Sequence, residues 1–477
     1  MDAGFSYSFV SRIELPITDV AGFSTSPVPC SECVHRRDSA GVATRFGMRN
    51  NSFCSKDVWL PIGSDANSGR QVGFGLEDLE RHLAIFGQTG TGKSTLIGHL
   101  AVAAFRQNVG ITCLDPHGQL AEQLLLHVPR HRFDDVVYLD ASDESYSVAI
   151  DWLGRSLSAS QREGVASAIV SAFKGIWYDS WGPRLEMILS ASVMAVLEVP
   201  QTSLLALPRL LDDERYRSWV VKQVQNPSVR YFFNEQMGKW DRRQHAEFIG
   251  SVQNKLSRLF LSSTMRHLFG QVGSKVCFRR LVDERRILIA NLARGKIGED
   301  HSAILGAILV AMLEQAAMSR ADIDESLRQP HIAVVDEFAT FTTLRFATAL
   351  SQIRKYKLSL VLAAQYMKQL SPAVADAVFG NVGTVIAMRT NTEDVELFKR
   401  QFGDEDRSSW WYSDLPNYAG IVRRMHLVEN PWKMQLYPPA TSNRPDSRTL
   451  RQLSRERFGV RRDRIEQNIS KWMGRVF

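Results

Sequence analysis

The chain has 477 residues, 44% hydrophobic and 23% charged, and its 58 Lys and Arg against 51 Asp and Glu leave a formal net charge of +7. This length calls for roughly two to four structural units around a sizeable core, and the composition excludes disordered and collagen-like chains. Five cysteines are too few for a disulfide framework and indicate a reducing, cytoplasmic setting.

Residues 1–80 read as a small β-rich N-terminal region, with strand-like runs at 8–19 and 58–62 among Gly, Ser, Asn and Pro. The opening MDAGFSYSFV has no basic start followed by an apolar run, so no signal peptide is expected. Cys30-Ser31-Glu32-Cys33, with His35 and Cys54 nearby, offers one cysteine pair where a structural zinc site needs two. Loop cysteines are therefore preferred over zinc.

From His82 the pattern becomes strand, turn, helix. Leu83-Ala84-Ile85-Phe86 leads through a Gly-rich loop into a helix over about 93–106, and further strands are expected at 110–114 and 135–139. Residues 151–283 show mostly helical periodicity. Apolar strands resume at 286–291, 331–335, 358–363, 384–388 and 421–425. Continuous apolar strands separated by helices indicate a mostly parallel sheet covered on both faces. The expected class is α/β, with a core over 81–150 and 284–440 interrupted by an all-helical insertion over 151–283. The longest apolar run, 303–313, falls short of the ~18 residues of a membrane span, so no direct transmembrane anchor is expected. The segment 441–477 is a basic helical tail with ten basic and four acidic residues.

Gly87-Gln88-Thr89-Gly90-Thr91-Gly92-Lys93-Ser94 fits the phosphate-binding pattern G-x-x-x-x-G-K-[ST], and Thr95 continues it into the helix. Glycines let successive backbone N–H groups face phosphate, the helix N-terminus adds its dipole, Lys93 reaches the β- and γ-phosphates, and Ser94 ligates Mg2+. Such a loop needs a carboxylate on a neighbouring strand. Ile332-Ala333-Val334-Val335-Asp336-Glu337 offers Asp336 for Mg2+ and Glu337 to polarise the attacking water. Gln365, at the end of the next apolar strand, would sense the γ-phosphate. Arg389, after the strand 384–388, is the candidate arginine offered to a neighbouring subunit, with Arg184 and Arg354 as weaker ones. The implied cofactors are ATP and Mg2+.

Taken together, these segments resemble the HerA/FtsK superfamily, and most of all the soluble parts of TraG/TraD-type coupling ATPases of type IV secretion and conjugation. The resemblance is carried by the loop 87–95, Asp115-Pro116-His117-Gly118, Trp181-Gly182-Pro183-Arg184-Leu185-Glu186, Asn254-Lys255-Leu256, Val335-Asp336-Glu337-Phe338, the stretch from Arg354 to Gln365, and Gly380-Asn381-Val382-Gly383-Thr384. It implies a RecA-like P-loop core, a hexameric ring, Asp115 and His117 near the nucleotide, and DNA pumped by ATP hydrolysis with a relaxase or secretion channel as partner. Location is expected in the cytoplasm or at the inner membrane through a partner. A HerA-like motor feeding a nuclease in repair or defence, and a nucleotide-switched cargo receptor, are the alternatives. For DNA contact the residues offer Arg354, Lys355 and Lys357, or the basic tail with Phe458 and Trp472 as stacking groups.

Overall fold

The structure, a computed structural model, describes residues 57–475 apart from 155–157, 343, 428 and 443–445. The strand expected at 8–19 and the Cys30, Cys33, His35 and Cys54 group lie outside the described residues. The strands are Trp59–Asp65 (β1), Gln71–Gly75 (β2), Leu83–Phe86 (β3), Gly110–Asp115 (β4), Val136–Asp140 (β5), Tyr146–Val148 (β6), Ile287–Asn291 (β7), His331–Val335 (β8), Leu358–Ala364 (β9), Thr384–Met388 (β10), Ala419–Arg424 (β11), Trp432–Leu436 (β12) and Gly459–Arg461 (β13).

Eleven of these form one sheet in the order β2-β1-β12-β11-β10-β3-β9-β8-β4-β7-β5. From β10 to β5 every neighbouring pair is parallel. Beyond β10 the strands β11, β12, β1 and β2 add on antiparallel. The parallel part follows from side-chain chemistry. All residues of β3, β4, β7, β8, β9 and β10 are buried, so both faces are covered and no polar/apolar alternation is tolerated. The molecule is an α/β protein with a mostly parallel RecA-like sheet.

Two expectations are corrected by the sheet. The strand carrying Asp336 and Glu337 is not next to the one that feeds the Gly-rich loop, because β9 lies between β3 and β8. Chain order says which strands exist, whereas the crossover connections decide where each inserts. The N-terminal boundary also moves. β1 and β2 precede residue 81 but pair into the main sheet through β12, so a division after residue 80 would cut the sheet.

The helix Lys93–Arg106 follows the Gly-rich loop directly and buries Leu96, Ile97, Leu100, Ala101, Ala104 and Phe105, one face at helical spacing. Between β6 and β7 the chain is helical, with Ala159–Ile176 and Arg242–Phe260 each opened by a capping box, Ser158 with Gln161 and Asp241 with Gln244. Their apolar faces join the same core as the sheet. The helix Glu299–Met318 is buried along most of its length. Among the described residues, the stretch Glu299–Asp322 alone is long and apolar enough to cross a membrane, with mean hydropathy 1.6, but 78% of it is buried inside the protein.

The basic tail covers an edge. Helices Arg448–Phe458 and Arg462–Met473 flank β13, which pairs antiparallel with β6, and the first packs along the edge strand β5. Arg455 meets Asp143 at 2.7 Å, Arg457 meets Asp134 at 2.7 Å, and Arg451 pairs with Glu122. Phe458 is buried, and the Trp472 ring lies edge-on to Tyr216. Three of the tail's arginines thus hold it to the core.

Two buried histidines lock sheet elements in their neutral form. His82 pairs Nε2 with the Leu350 carbonyl at 2.9 Å and accepts the Leu360 N–H on Nδ1 at 3.1 Å; burial pulls its pKa down to about 4. His331 meets the Thr112 hydroxyl at 2.9 Å, and burial, reinforced by Arg320 and Arg132, pulls it down to about 3. Both shifts are downward, so the stability they confer is complete above about pH 6.5, where histidine in the unfolded chain is neutral. It is lost as pH falls towards 4, at about 1.4 kcal/mol per pH unit for each proton that the unfolded chain takes up and the fold refuses. Urea unfolding at pH 8 and pH 5 should show this loss, reduced in His82→Asn, and equal acid sensitivity in the variant would refute the assignment.

Candidate nucleotide site

The parallel strands end on one edge of the sheet, and the sequence-predicted residues are set there. A cavity of about 500 Å3 is lined by Thr89, Gly90, Gly92, Lys93, Ser94 and Thr95 from the loop and its helix, Asp336 and Glu337 after β8, and Gln365 after β9. Asp115 and His117, after β4, line it as well. Ligands of open parallel sheets bind at this carboxyl end.

The loop's shape comes from a few close approaches. A Cβ at Gly87 would stand 2.6 Å from Met388 Cβ. Gly92 has φ 115°, and a Cβ there would stand 2.9 Å from the Tyr418 ring. Thr91 is buried with its hydroxyl donating to the Gln88 carbonyl at 2.8 Å, so its side chain braces the loop and does not face the cavity. Gln88 N–H donates to the Arg389 carbonyl at 3.0 Å. Lys93 is 8% exposed and donates to the carbonyls of Gly87 at 2.5 Å and Gln88 at 3.1 Å. Burial lowers its pKa, opposed by Asp336 and Glu337.

The carboxylates differ in their duties. Asp115 is fully buried and accepts the N–H of His117 at 2.8 Å and of Ala121 at 2.9 Å, which shapes the Asp-Pro-His-Gly turn and caps the helix Gln119–His127. Asp336 accepts the Glu337 N–H at 3.1 Å. Burial first, and then Asp115, push its pKa up to about 7 against the pull of Lys93. Glu337 is buried in the left-handed region at φ 49°, ψ 49°, a strained conformation for a non-glycine residue at a functional position. Three buried carboxylates thus face one buried ammonium, an excess that a divalent cation would offset. Ser94, exposed to the cavity, and Asp336 are oxygen donors that could hold a Mg2+ together with phosphate and water. Among the described residues no cluster of three or more His, Cys, Asp or Glu side chains could hold a metal alone.

The other predicted residues lie outside the cavity. Arg389 follows β10 and donates to Asn417 Oδ1 at 2.9 Å and the Leu415 carbonyl at 3.4 Å. Arg184 stacks over Phe248, 3.7 Å from the ring centroid, in the helical region. Arg354, Lys355 and Lys357 precede β9 and so sit at the opposite end of the strand from Gln365; Lys357 pairs with Glu80 at 2.5 Å. Four lining residues were not foreseen, namely Gln119, Leu120, Arg294 and Tyr418. Arg294 lies three residues beyond β7, so the strand-end rule could have found it. Its guanidinium has a loose ion pair with Glu299 at 3.7 Å. Tyr418 sits in Leu415-Pro416-Asn417-Tyr418, which locally reads as a turn and carries no such signal.

Comparison with known proteins fits this geometry. Residues 60–152 match the family model for the central domain of helicase HerA, and residues 330–414 match that for the TraM recognition site of TraD and TraG. Two separate segments of the chain are thus similar to HerA-type and TraD/TraG-type proteins. The type 4 coupling protein DotL of Legionella pneumophila is 22% identical over 406 residues, 72% of this chain and 52% of DotL, so the chain spans about half of that relative. Of solved structures, the conjugative coupling protein TrwBΔN70 superposes with a TM-score of 0.58 at 15% identity, covering 82% of this chain and 92% of the TrwBΔN70 chain. VirB4 of Thermoanaerobacter pseudethanolicus superposes at 0.54 with 12% identity, covering 80% of this chain and 96% of VirB4. At these identities the superpositions speak for a shared fold.

Replacing Asp115 by Ala removes the acceptor for the His117 amide of the turn and the Ala121 amide of the helix's first turn, and should cost about 2 kcal/mol of unfolding free energy. Chemical denaturation checks this, and a loss within experimental error would show the capping to be dispensable.

Proposed function

We propose that the chain is an ATP-hydrolysing coupling ATPase that translocates DNA in conjugative transfer or DNA mobilisation, working as a ring of identical subunits, most simply a hexamer. The observation that carries this is the convergence of Lys93, Asp336, Glu337 and Gln365 on one cavity from three parallel strands. Nucleotide binding alone has no use for Glu337. A second acid at that place serves turnover.

The backbone of residues 87–95 wraps the phosphates. Lys93 leaves the Gly87 and Gln88 carbonyls to meet the β- and γ-phosphates. Ser94 and Asp336 hold the Mg2+ of MgATP, which supplies charge neutralisation on the phosphate oxygens. Glu337 orients and polarises water for in-line attack, and Gln365 reports the γ-phosphate to the rest of the chain. Arg389 is the arginine offered across a subunit boundary, and Arg294 is a cation that the chain provides for itself. TrwB has been solved with the ATP analogue ADPNP and with ADP and Mg2+, which supports ATP and Mg2+ as the ligands of this site.

For DNA, the exposed Arg354 and Lys355 on the opposite end of the sheet are favoured over the tail, where Arg451, Arg455 and Arg457 are engaged with Glu122, Asp143 and Asp134. The protein works at the cytoplasmic side of the inner membrane, joined to a relaxase and a secretion channel. The match to the HerA central domain favours one further reading, a motor that delivers DNA to a nuclease.

ATPase rates with and without DNA for wild type, Lys93→Ala and Glu337→Gln test the proposal, together with displacement of a DNA-bound roadblock. Both variants should lose turnover by about 100-fold or more, with Glu337→Gln still binding nucleotide. Full turnover in Glu337→Gln would overturn the assignment of the attacking-water residue, and DNA-stimulated turnover without displacement would make the protein a cargo receptor.

A further inference from the structure

The nucleotide cavity has a polarity that the strand order makes legible. Asp336 and Glu337 come from β8, Asp115 from β4 and Arg294 from beyond β7, all on one side of the loop strand β3. On the other side, next to β3, lie β10 and then β11, and from the segment before β11 a single residue reaches the cavity, Tyr418. A triphosphate lying along the loop with its γ-phosphate at the carboxylates must leave its ribose and base towards that opposite side.

Tyr418 is built into this position. It is the one Phe, Tyr or Trp side chain among the described residues that line the cavity, and its ring lies over Gly92, where a Cβ would come within 2.9 Å. Its backbone is tied on both sides: the N–H donates to the Thr91 carbonyl at 2.7 Å, and its carbonyl accepts from Leu436 N–H at 2.7 Å and Gln435 Nε2 at 3.1 Å. Arg389 holds the preceding residues Leu415 and Asn417. The residue is held at φ 65°, an unfavourable conformation for a bulky side chain that persists only where the surroundings impose it, as at ligand clamps. Even so, the side chain is not packed away, and the residue stays 37% exposed.

We propose that Tyr418 is the nucleobase platform of this site, stacking its ring on the base of the bound nucleoside triphosphate. The proposal rests on the nucleotide reading above and adds the base subsite to it. Recognition by a ring face tolerates any base but requires one, because every base has a π-face whereas a bare polyphosphate has none.

The test compares binding of Mg2+-ATPγS and Mg2+-tripolyphosphate to the full chain in wild type, Tyr418→Ala, Tyr418→Phe and Lys93→Ala, by calorimetry. Wild type should bind ATPγS more tightly than tripolyphosphate. Tyr418→Ala should weaken ATPγS by about tenfold or more and leave tripolyphosphate unchanged, while Tyr418→Phe restores wild-type binding. Retained tripolyphosphate binding shows that the variant's loop is folded. The platform is overturned if Tyr418→Ala binds ATPγS like wild type, or if it loses both ligands equally, which would make Tyr418 only a clamp on the loop. Should wild type bind neither ligand better than Lys93→Ala does, the nucleotide site itself fails, and the platform with it.

Discussion

Lys93 is buried against Asp336 and Glu337, with Asp115 fully buried beside them, and the rest of the site depends on this imbalance of charge. One buried ammonium, with the part-exposed Arg294 guanidinium at the cavity wall, does not neutralise three carboxylates, and burial makes each charge costly. The protein meets the cost in pieces. Asp115 is satisfied by a turn amide and a helix amide, Asp336 by one amide and a pKa drawn up to about 7, and Lys93 by two loop carbonyls. What is left over is an appetite for a divalent cation and a polyphosphate to share it. This gives a physical reason for metal and triphosphate to bind together at such a site.

The parallel sheet makes the arrangement possible by ending its strands on one edge. Each strand delivers one chemical group at its carboxyl end: the loop from β3, Gln365 from β9, the acid pair from β8, Asp115 from β4 and Arg294 beyond β7. The antiparallel extension is more than decoration. β11 and β12 carry the Tyr418 segment to the loop, where Tyr418 N–H meets the Thr91 carbonyl and Leu436 N–H meets the Tyr418 carbonyl. The loop is therefore held from below by Arg389 and Met388 and from the side by a segment some three hundred residues later in the chain. β9 runs the length of the sheet from the exposed Arg354 and Lys355 turn to Gln365 at the cavity.

The helical region and the tail serve the same core. Helix Ala159–Ile176 packs on the buried helix Glu299–Met318, and the tail helices close the β5 edge with Arg–carboxylate pairs. A basic segment that suggests nucleic acid on charge alone is in this molecule a strap across an exposed sheet edge, where unpaired strand groups would otherwise invite association.

What the sequence determined by itself was local chemistry. The spacing from Gly87 to Ser94, the run of apolar residues ending in Asp336-Glu337, and the all-apolar strands all express short-range rules of backbone geometry and burial, so the α/β class and the loop with its acid pair were legible without coordinates. Three things were decided only by tertiary structure. The insertion of β9 between β3 and β8, the joining of β1 and β2 to the main sheet, and the arrival of Tyr418 over Gly92 all depend on which strand lies beside which. Strand order is set by crossovers and by the shared packing of helices on the sheet, over separations that no window of sequence spans. The tail shows the same limit from the other side: its charges were plain to count, but their partners, Glu122, Asp134 and Asp143, stand more than three hundred residues away.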